Sequence, residues 1–150
     1  MSVIIHFSNL YIPRKDGTTT EIDLIYLSHY GIFVIESKNY NGWIFGNEKQ
    51  KYWTQTFENK QKFRFFNPIW QNTTHINALK EVLPEELHQQ LHSLIVFNNQ
   101  ATLKKVTVTS ENIHVIKREE LKSTLNKFNK TTSASFSLEQ LSEIANLLSI

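Results

Sequence analysis

The chain has 150 residues, of which 40% are hydrophobic, and a formal net charge of +2 at pH 7. This length suits one domain with its own core, and the small charge excludes a polycation that neutralises phosphates along its whole surface. The chain has no cysteine, which excludes disulfides and thiolate zinc sites. No apolar run reaches the roughly 18 residues of a membrane span, and the N-terminus lacks a basic region, so we predict a cytoplasmic protein without signal peptide or anchor.

The first half of the chain is rich in residues that favour β-strands. Alternating or apolar runs bounded by turn residues predict strands, and Asn41-Gly42 is a strong turn signal. The runs cover residues 3–12, 20–27, 32–37, 43–46 and 52–57. The second and third runs predict a hairpin, and the last two predict antiparallel strands that continue the same meander.

From Asn67 onward the pattern is mainly helical. Asn67 is a good N-cap and Pro68 is preorganised for the first helical position, so a helix is predicted to begin here. A short helix is predicted to start at residues 84–86, and another helix is predicted at residues 119–128. The last predicted helix follows the capping-box pattern Ser137-Leu138-Glu139-Gln140 and carries Leu141, Ile144, Leu147 and Leu148. Strands are predicted at residues 93–97 and 112–116, and a polar connection at residues 131–135. The predicted fold class is α/β (α+β), with a central mixed or antiparallel β-sheet flanked by helices.

Basic residues are densest between residues 49 and 64, where aromatic residues are interleaved with them. The cations are Lys49, Lys51, Lys60, Lys62 and Arg64, and the aromatics are Tyr52, Trp53, Phe57 and Phe63. One interpretation is a solvated hairpin face above core aromatics, and the other is contact with the backbone of a nucleic acid. The first arrangement is the commoner one. Tyr40, Trp43 and Trp53 could stack on bases, but aromatic residues on antiparallel strands usually pack in the core, and we predict that they do so here.

Asp23, Glu36 and Lys38 stand out because they are charged residues on strands whose other residues are mostly apolar. Side chains two residues apart on a strand share a face, so Glu36 and Lys38 point the same way. A two-residue loop at residues 29–30 sets Asp23 opposite Glu36, and Glu21 opposite Lys38. A three-residue loop would turn Asp23 to the other face, so the cluster depends on this turn.

Two interpretations of this cluster remain open on geometry alone. It is either a salt-bridged group at the strand ends or a site for a divalent cation between two carboxylates. Carboxylate oxygens completed by water suit Mg²⁺ or Mn²⁺. Other chemistry has less support, because His88 and His92 have no third metal ligand at suitable spacing and no Gly-x-Ser-x-Gly nucleophile motif occurs.

Five segments of the chain resemble successive motifs of the nuclease-related domain (NERD) family. They are Glu21-Ile22-Asp23, residues 31–40, Gly42-Trp43, residues 67–71 and Val96-Phe97. The resemblance implies the PD-(D/E)xK nuclease superfamily and a restriction-endonuclease-like core. The aspartate of the superfamily corresponds to Asp23 and the E-x-K element to Glu36-Ser37-Lys38, whereas Ile22 stands where the superfamily motif has proline.

The resemblance also implies a mechanism. Asp23 and Glu36, with the main-chain carbonyl of Ser37, would hold Mg²⁺ or Mn²⁺. Lys38 would position the attacking water and offset charge on the phosphoryl oxygens. The expected activity is hydrolysis of phosphodiester bonds in nucleic acid, with DNA as the expected partner.

Two further residues have open assignments. Gln71 would hold a water or a phosphate, as a helical glutamine does in related nucleases, or it is a helix-surface amide. Glu21 is either the orienting partner of Lys38 or an ion-pair neighbour.

The whole chain, residues 1–150, is predicted to be one NERD-like domain. Related domains usually begin with a helix that carries a glutamate, whereas this chain begins at the first strand, so we expect a shortened member or a fragment. Two alternatives to a nuclease stay open. One is a non-catalytic accessory module that binds nucleic acid or a protein, and the other is a targeting fragment of a larger multidomain enzyme.

Overall fold

A computed structural model describes residues 4–131 and 136–149 of the chain. The strands are β1 Ile4–Pro13, β2 Thr19–Ser28, β3 Gly31–Lys38, β4 Gly42–Asn47, β5 Tyr52–Thr56, β6 Lys62–Phe66, β7 Leu91–Phe97, β8 Ala101–Thr107 and β9 Ile113–Lys117. The helices are α1 Pro68–Val82, α2 Leu121–Thr131 and α3 Leu138–Leu148, with 3₁₀ turns at Glu85–Gln90 and Arg118–Glu120. The polar connection predicted at residues 131–135 lies outside the described residues, except that Thr131 ends α2.

The strands form two mixed sheets. The first has the order β1-β2-β3-β7-β9, with antiparallel pairs up to β3 and parallel pairs from β3 to β9. The second has the order β6-β5-β4-β8, in which only the β4–β8 pair is parallel. The predicted mixed α+β class, with a restriction-endonuclease-like core, is confirmed. One detail differs, because β4 and β5 belong to the second sheet and do not continue the meander of the first.

The first sheet has helices on both faces because β3 is apolar on both sides. Ile32 and Val34 pack in one cluster with α1 and α3. Phe33 and Ile35, on the opposite face, pack with the apolar residues of α2. This two-sided burial follows from the unbroken apolar run in β3, which is typical of a strand in the middle of a sheet.

The second sheet packs one face against the end of the first. Ile44 and Trp53 of this sheet are buried with Ile95 and Phe97 of β7 and with Ile69 at the start of α1. Gly46 is required for this packing, because a Cβ there would lie 2.2 Å from Cδ2 of the Trp53 ring. The opposite face of the second sheet carries no helix among the described residues.

Asn67 fixes the start of α1 against the loop between β4 and β5. Its Oδ1 accepts from the backbone N–H of Ile69 at 2.8 Å, as an N-cap does. Its Nδ2 donates to the carbonyl oxygens of Glu48 at 3.0 Å and Gln50 at 2.8 Å. Both ends of one buried amide are therefore satisfied, and the first turn of α1 is held in place.

Within the described ranges, no helix combines the length and apolarity needed to cross a membrane.

Candidate active site

The hairpin of β2 and β3 has the register that the two-residue loop predicts. Ser28 pairs with Gly31, and the ladder continues to Leu24 opposite Ile35. The described pairs end there, one position before Asp23 and Glu36. Asp23 and Glu36 therefore lie where the two strands separate.

β2 changes phase next to Asp23. Ile25 and Ile22 belong to the same core cluster although they are three residues apart, which regular alternation would forbid. The described pairs of β1 and β2 pass from Ser8–Leu24 to Leu10–Ile22 and omit Asn9, whose φ of 53° is in the left-handed region. The pairs on both sides of this position keep the same register, so neither strand has the extra residue of a β-bulge, and the ladder is interrupted only at Asn9 and Asp23. Asp23 is exposed at this point.

Glu36 and Lys38 meet α1 through Gln71. The Lys38 Nζ donates to Gln71 Oε1 at 2.8 Å and lies 3.3 Å from Glu36 Oε1. Glu36 is only 4% exposed, whereas Lys38 is partly exposed. The Lys38 ammonium is therefore held between a strand and a helix, with one side open to solvent.

A second helix residue, His75, reaches the other oxygen of the Glu36 carboxylate. His75 Nδ1 lies 3.5 Å from Glu36 Oε2 and 3.3 Å from Asn72 Oδ1. Asn72 is oriented by its Nδ2, which donates to Ser93 Oγ at 2.8 Å and to the Val34 carbonyl at 3.0 Å. Since both neighbours of Nδ1 are acceptors, Nδ1 carries the ring hydrogen when His75 is neutral.

Burial disfavours the charged forms of Glu36 and His75. It raises the pKa of Glu36, with nearby Lys38 lowering it and Asp23 raising it. Burial also lowers the pKa of His75, against the attraction of Asp23. The imidazole of His75 is accordingly neutral at neutral pH, so its contact with Glu36 is not an ion pair.

The donor set fits a hard divalent cation that keeps most of its water. In the parts of the chain that the structure describes, no group of three or more His, Asp or Glu side chains is arranged to hold a metal ion. Mg²⁺ does not need such a group, because it binds through one or two carboxylates, waters and substrate phosphates. Burial is the main cause of the raised pKa of Glu36, and a cation near Asp23 and Glu36 would offset both the cost of that burial and the smaller repulsion between the two carboxylates.

The structure brings three of the residues singled out in the sequence into direct contact, namely Glu36, Lys38 and Gln71. Asp23 lies close enough to Glu36 to influence its pKa. Ser37 is exposed, between Glu36 and Lys38. Glu21 is exposed and pairs with Tyr11 of β1, and the β2–β3 ladder ends before reaching it.

His75 and Asn72 belong to the cluster although sequence reasoning gave them no role. The signal was present, because Gln71 and His75 are four residues apart and a helix places such residues on one face. The sequence does not show that this face of α1 meets Glu36, since that contact depends on how α1 crosses β3.

Three other sequence interpretations are resolved by the structure. Trp53 is buried, as predicted, but Trp43 is 46% exposed, so its assignment to the core is wrong. His88 and His92 do not share a helix, because His88 lies in the 3₁₀ turn and His92 in β7. His88 Nε2 instead contacts the Leu83 carbonyl at 3.0 Å.

Comparison with known proteins gives two matches and one negative result. The sequence model of the nuclease-related domain matches residues 4–98, which is more than half of the chain. An uncharacterized protein of Bacillus anthracis is 37% identical over 120 residues, covering 80% of this chain and 55% of that protein. The chain thus spans little more than half the length of this relative. No solved structure matches.

Proposed function

This chain belongs to the nuclease-related domain family, and we propose that it is a metal-dependent nuclease that hydrolyses phosphodiester bonds of nucleic acid, with DNA as the expected substrate. The observation that carries the proposal is the Lys38 ammonium held at the end of β3 by Glu36 and Gln71, with Asp23 beside them. A buried carboxylate that is costly to ionise is more typical of a site than of a surface ion pair.

Asp23 and Glu36, with the main-chain carbonyl of Ser37, are the residues that would hold Mg²⁺ or Mn²⁺. When bound, such a cation neutralises phosphate charge and makes a water molecule more acidic. His75 lies beside Glu36, with its Nδ1 3.5 Å from Oε2, while Oε1 is 3.3 Å from Lys38 Nζ. Contacts on both oxygens favour one orientation of the carboxylate.

Lys38 and Gln71 act on the substrate side. The Lys38 ammonium has three hydrogens, of which the described contacts use one for Gln71 and one for Glu36, so a third is available for a water or a phosphoryl oxygen. Gln71 accepts through Oε1, which leaves its Nε2 hydrogens for a phosphate oxygen. During in-line displacement the water oxygen bonds to phosphorus while the bond to the leaving oxygen breaks, and Lys38 offsets the charge that develops.

Cleavage assays test the proposal directly. Labelled supercoiled, linear and single-stranded DNA and RNA are incubated with the protein in Mg²⁺, Mn²⁺ or EDTA, beside its Glu36→Ala variant. We expect metal-dependent cutting by the wild type and none by the variant. A folded protein that cuts no substrate with either metal contradicts the proposal.

A second candidate function is a non-catalytic module that binds nucleic acid. It is supported by the exposed rings of Trp43 and Tyr52, each of which has a cation against it. A gel shift without cutting would favour this module. A targeting fragment of a larger enzyme is a third possibility, and the partial coverage of the relative from Bacillus anthracis supports it.

A further inference from the structure

The second sheet has one face that turns away from its core. Residues alternate along each strand, so that Ile44 and Trp53 point inward while Trp43 and Tyr52 point outward. We call this the outer face, and its side chains include Trp43, Phe45, Tyr52, Lys62, Arg64 and Lys105. Trp43 is 46% and Tyr52 44% exposed, which is unusual for large rings on a sheet.

Cations lie directly over the exposed rings. The Arg64 guanidinium is 4.3 Å from the centre of the Tyr52 ring, and Lys51 Nζ is 5.4 Å from it. Lys104 Nζ is 4.6 Å from the centre of the Trp43 ring. A cation therefore covers one face of each ring, so a base would stack on the other face, with the cation available to the phosphate of the same nucleotide.

The outer face contains two open depressions of ligand size. One of about 330 Å³ lies beside Phe45, Tyr52 and Lys105. The other, of about 890 Å³, lies beside Trp43 and is also lined by Phe57, Lys60 and Gln100. Small-molecule pockets span roughly 300–1,000 Å³, so each depression has room for at least one nucleotide.

Few carboxylates lie near these cations. The Glu48 carboxylate is engaged by Thr109 and Ser110, whose N–H and hydroxyl groups donate to it. Glu58 lines the larger depression. The cations Lys51, Lys62, Arg64, Lys104 and Lys105 therefore outnumber the carboxylates near the face, and an anion is the complementary ligand.

From these observations we infer that the outer face binds single-stranded nucleic acid, with bases stacked on Trp43 and Tyr52 and phosphates paired with the cations. A single strand fits better than a duplex, because the flat faces of paired bases are already stacked and unavailable to aromatic side chains. The inference rests on the proposed function in one respect, because the single strand bound by the outer face would be the substrate of the candidate active site.

The link between the face and the candidate active site is short. Only residues 39–41 separate Lys38 from Gly42, which lines the larger depression. Four extended residues span at most about 14 Å. The link is also braced, because Asn98 Nδ2 donates to Asn39 Oδ1 at 2.6 Å and to Asn41 Oδ1 at 3.3 Å. The larger depression therefore begins within about 14 Å of Lys38.

Binding without cleavage tests the inference. Fluorescence anisotropy of labelled oligo(dT), oligo(U) and a duplex is measured in EDTA with the full chain and with Trp43→Ala, Tyr52→Ala and the double variant. We expect each single substitution to weaken single-strand binding about tenfold. The matched control is Tyr11→Ala, which removes a ring that is 61% exposed on β1 and should change nothing.

Salt dependence supplies a second readout that does not depend on the rings. Replacing Lys62 and Arg64 by alanine should lower the slope of log K against log salt by about 1.4, whereas replacing Lys122 and Lys130 on α2 should leave it unchanged. An unchanged slope in the Lys62/Arg64 variant would contradict the pairing of phosphates with this face.

Three outcomes would overturn it: unchanged single-strand affinity in the Trp43/Tyr52 double variant, equally tight duplex binding, or equal losses in the Tyr11 control. Cleavage is scored separately so that the two ideas can fail independently. Strong binding by a protein that never cuts would refute the nuclease and leave the surface. Cutting of single strands by the double variant with unchanged KM would refute the surface and leave the nuclease.

Discussion

The two faces of the first sheet bury polar side chains in different surroundings. On the α1 face, Glu36, Asn72 and His75 contact one another or polar neighbours from β3, β7 and α1. On the α2 face, His92 and His114 lie against Phe128, with ring centroids 4.7 Å and 5.3 Å from its own. There, His92 Nδ1 and His114 Nε2 are buried without hydrogen-bond partners among the described residues.

The difference separates a polar site from an aromatic core. Polar groups that hold one another in fixed orientations can position a substrate, and they also lower the cost of their own burial. Histidine rings that stack on phenylalanine instead behave as core aromatics, and His92 lies 5.1 Å from Phe33 in a stacked arrangement. Burial alone therefore does not identify the site, whereas the contacts of the buried groups do.

The sharpest test of this contrast is Lys38→Ala. We expect cleavage to fall by at least about 10³-fold, since charge stabilisation at a reacting phosphate contributes roughly 4 kcal/mol. The fold should persist, because Lys38 is partly exposed and is the last residue of β3. Single-turnover cleavage and circular dichroism measure the two effects.

The chain offers a matched control in Lys117→Ala. Lys117 is also the last residue of its strand, and its Nζ lies 3.5 Å from Oε1 of Glu119, two residues away. The Glu119 side chain, however, is 61% exposed. Cleavage should be unchanged in this variant. An equal loss in both variants would mean that general surface charge, and not the Lys38 site, carries the activity.

The α2 face should be sensitive to acid. Burial, helped by His114, lowers the pKa of His92 from 6.5 to about 4. Below about pH 6.5 the native state therefore binds fewer protons than the unfolded chain. Burial of neutral His92 costs no stability above that pH, and the free energy of unfolding falls as the pH decreases toward 4. The total is about 3 kcal/mol, at 1.36 kcal/mol per pKa unit.

His92→Phe tests that origin, because phenylalanine keeps the stacking on Phe33 and removes the titration. Urea unfolding at pH 7 and pH 4.5 should show a smaller difference for the variant than for the wild type. His6→Phe, at an exposed position of β1, is the control and should keep the full difference. An unchanged pH dependence in His92→Phe would assign the acid sensitivity elsewhere, with His114 the next group to test.

The hydrogen bonds of Asn72, on the α1 face, should contribute to the free energy of unfolding. Asn72→Ala removes the donors to Val34 and Ser93 and the acceptor for His75, so we expect a loss of about 2 kcal/mol in the free energy of unfolding. Asn77→Ala, at an exposed position of the same helix, controls for helix propensity. Equal stability of the two variants would show that the Asn72 contacts are not stabilising.

Local patterns predicted much of this fold. The apolar run of β3, the Asn67-Pro68 helix start and the capping box at Ser137 all appear as expected, because each depends on neighbouring residues alone. The strands β6 and β8 were missed, since Lys62–Phe66 and Ala101–Thr107 mix charged and apolar residues on an edge. Such strands are defined by their partners more than by their own composition.

The site was predictable only up to the point where long-range packing begins. The alternation of β3 placed Glu36 and Lys38 on one face, and the two-residue turn brought Asp23 near them. The interruption of the β1–β2 ladder at Asn9 and the end of the β2–β3 ladder were not predictable, because both depend on how two strands diverge. The approach of His75 likewise depends on the crossing of α1 over β3.

The smallest expected effect, the stability of Glu36→Gln, is measured in EDTA so that no cation contributes. Burial raises the pKa of Glu36 above its ordinary value, so its ionised form costs stability above that pKa and the cost vanishes as pH falls through it. Glutamine removes the charge while Lys38 keeps its contact with Gln71. We therefore expect a higher free energy of unfolding at pH 7 and a loss of cleavage in the same variant.

Glu119→Gln, which removes the exposed carboxylate beside Lys117, should change neither quantity. Thermal unfolding with added Mg²⁺ sharpens the comparison, because a cation that binds only the native state raises Tm, and Glu36→Gln should weaken that rise. If Glu36→Gln instead lowers stability in EDTA, attraction to Lys38 outweighs burial, and the cluster is a structural ion pair. Opposite changes in stability and cleavage would show that Glu36 is retained for chemistry at the expense of the fold.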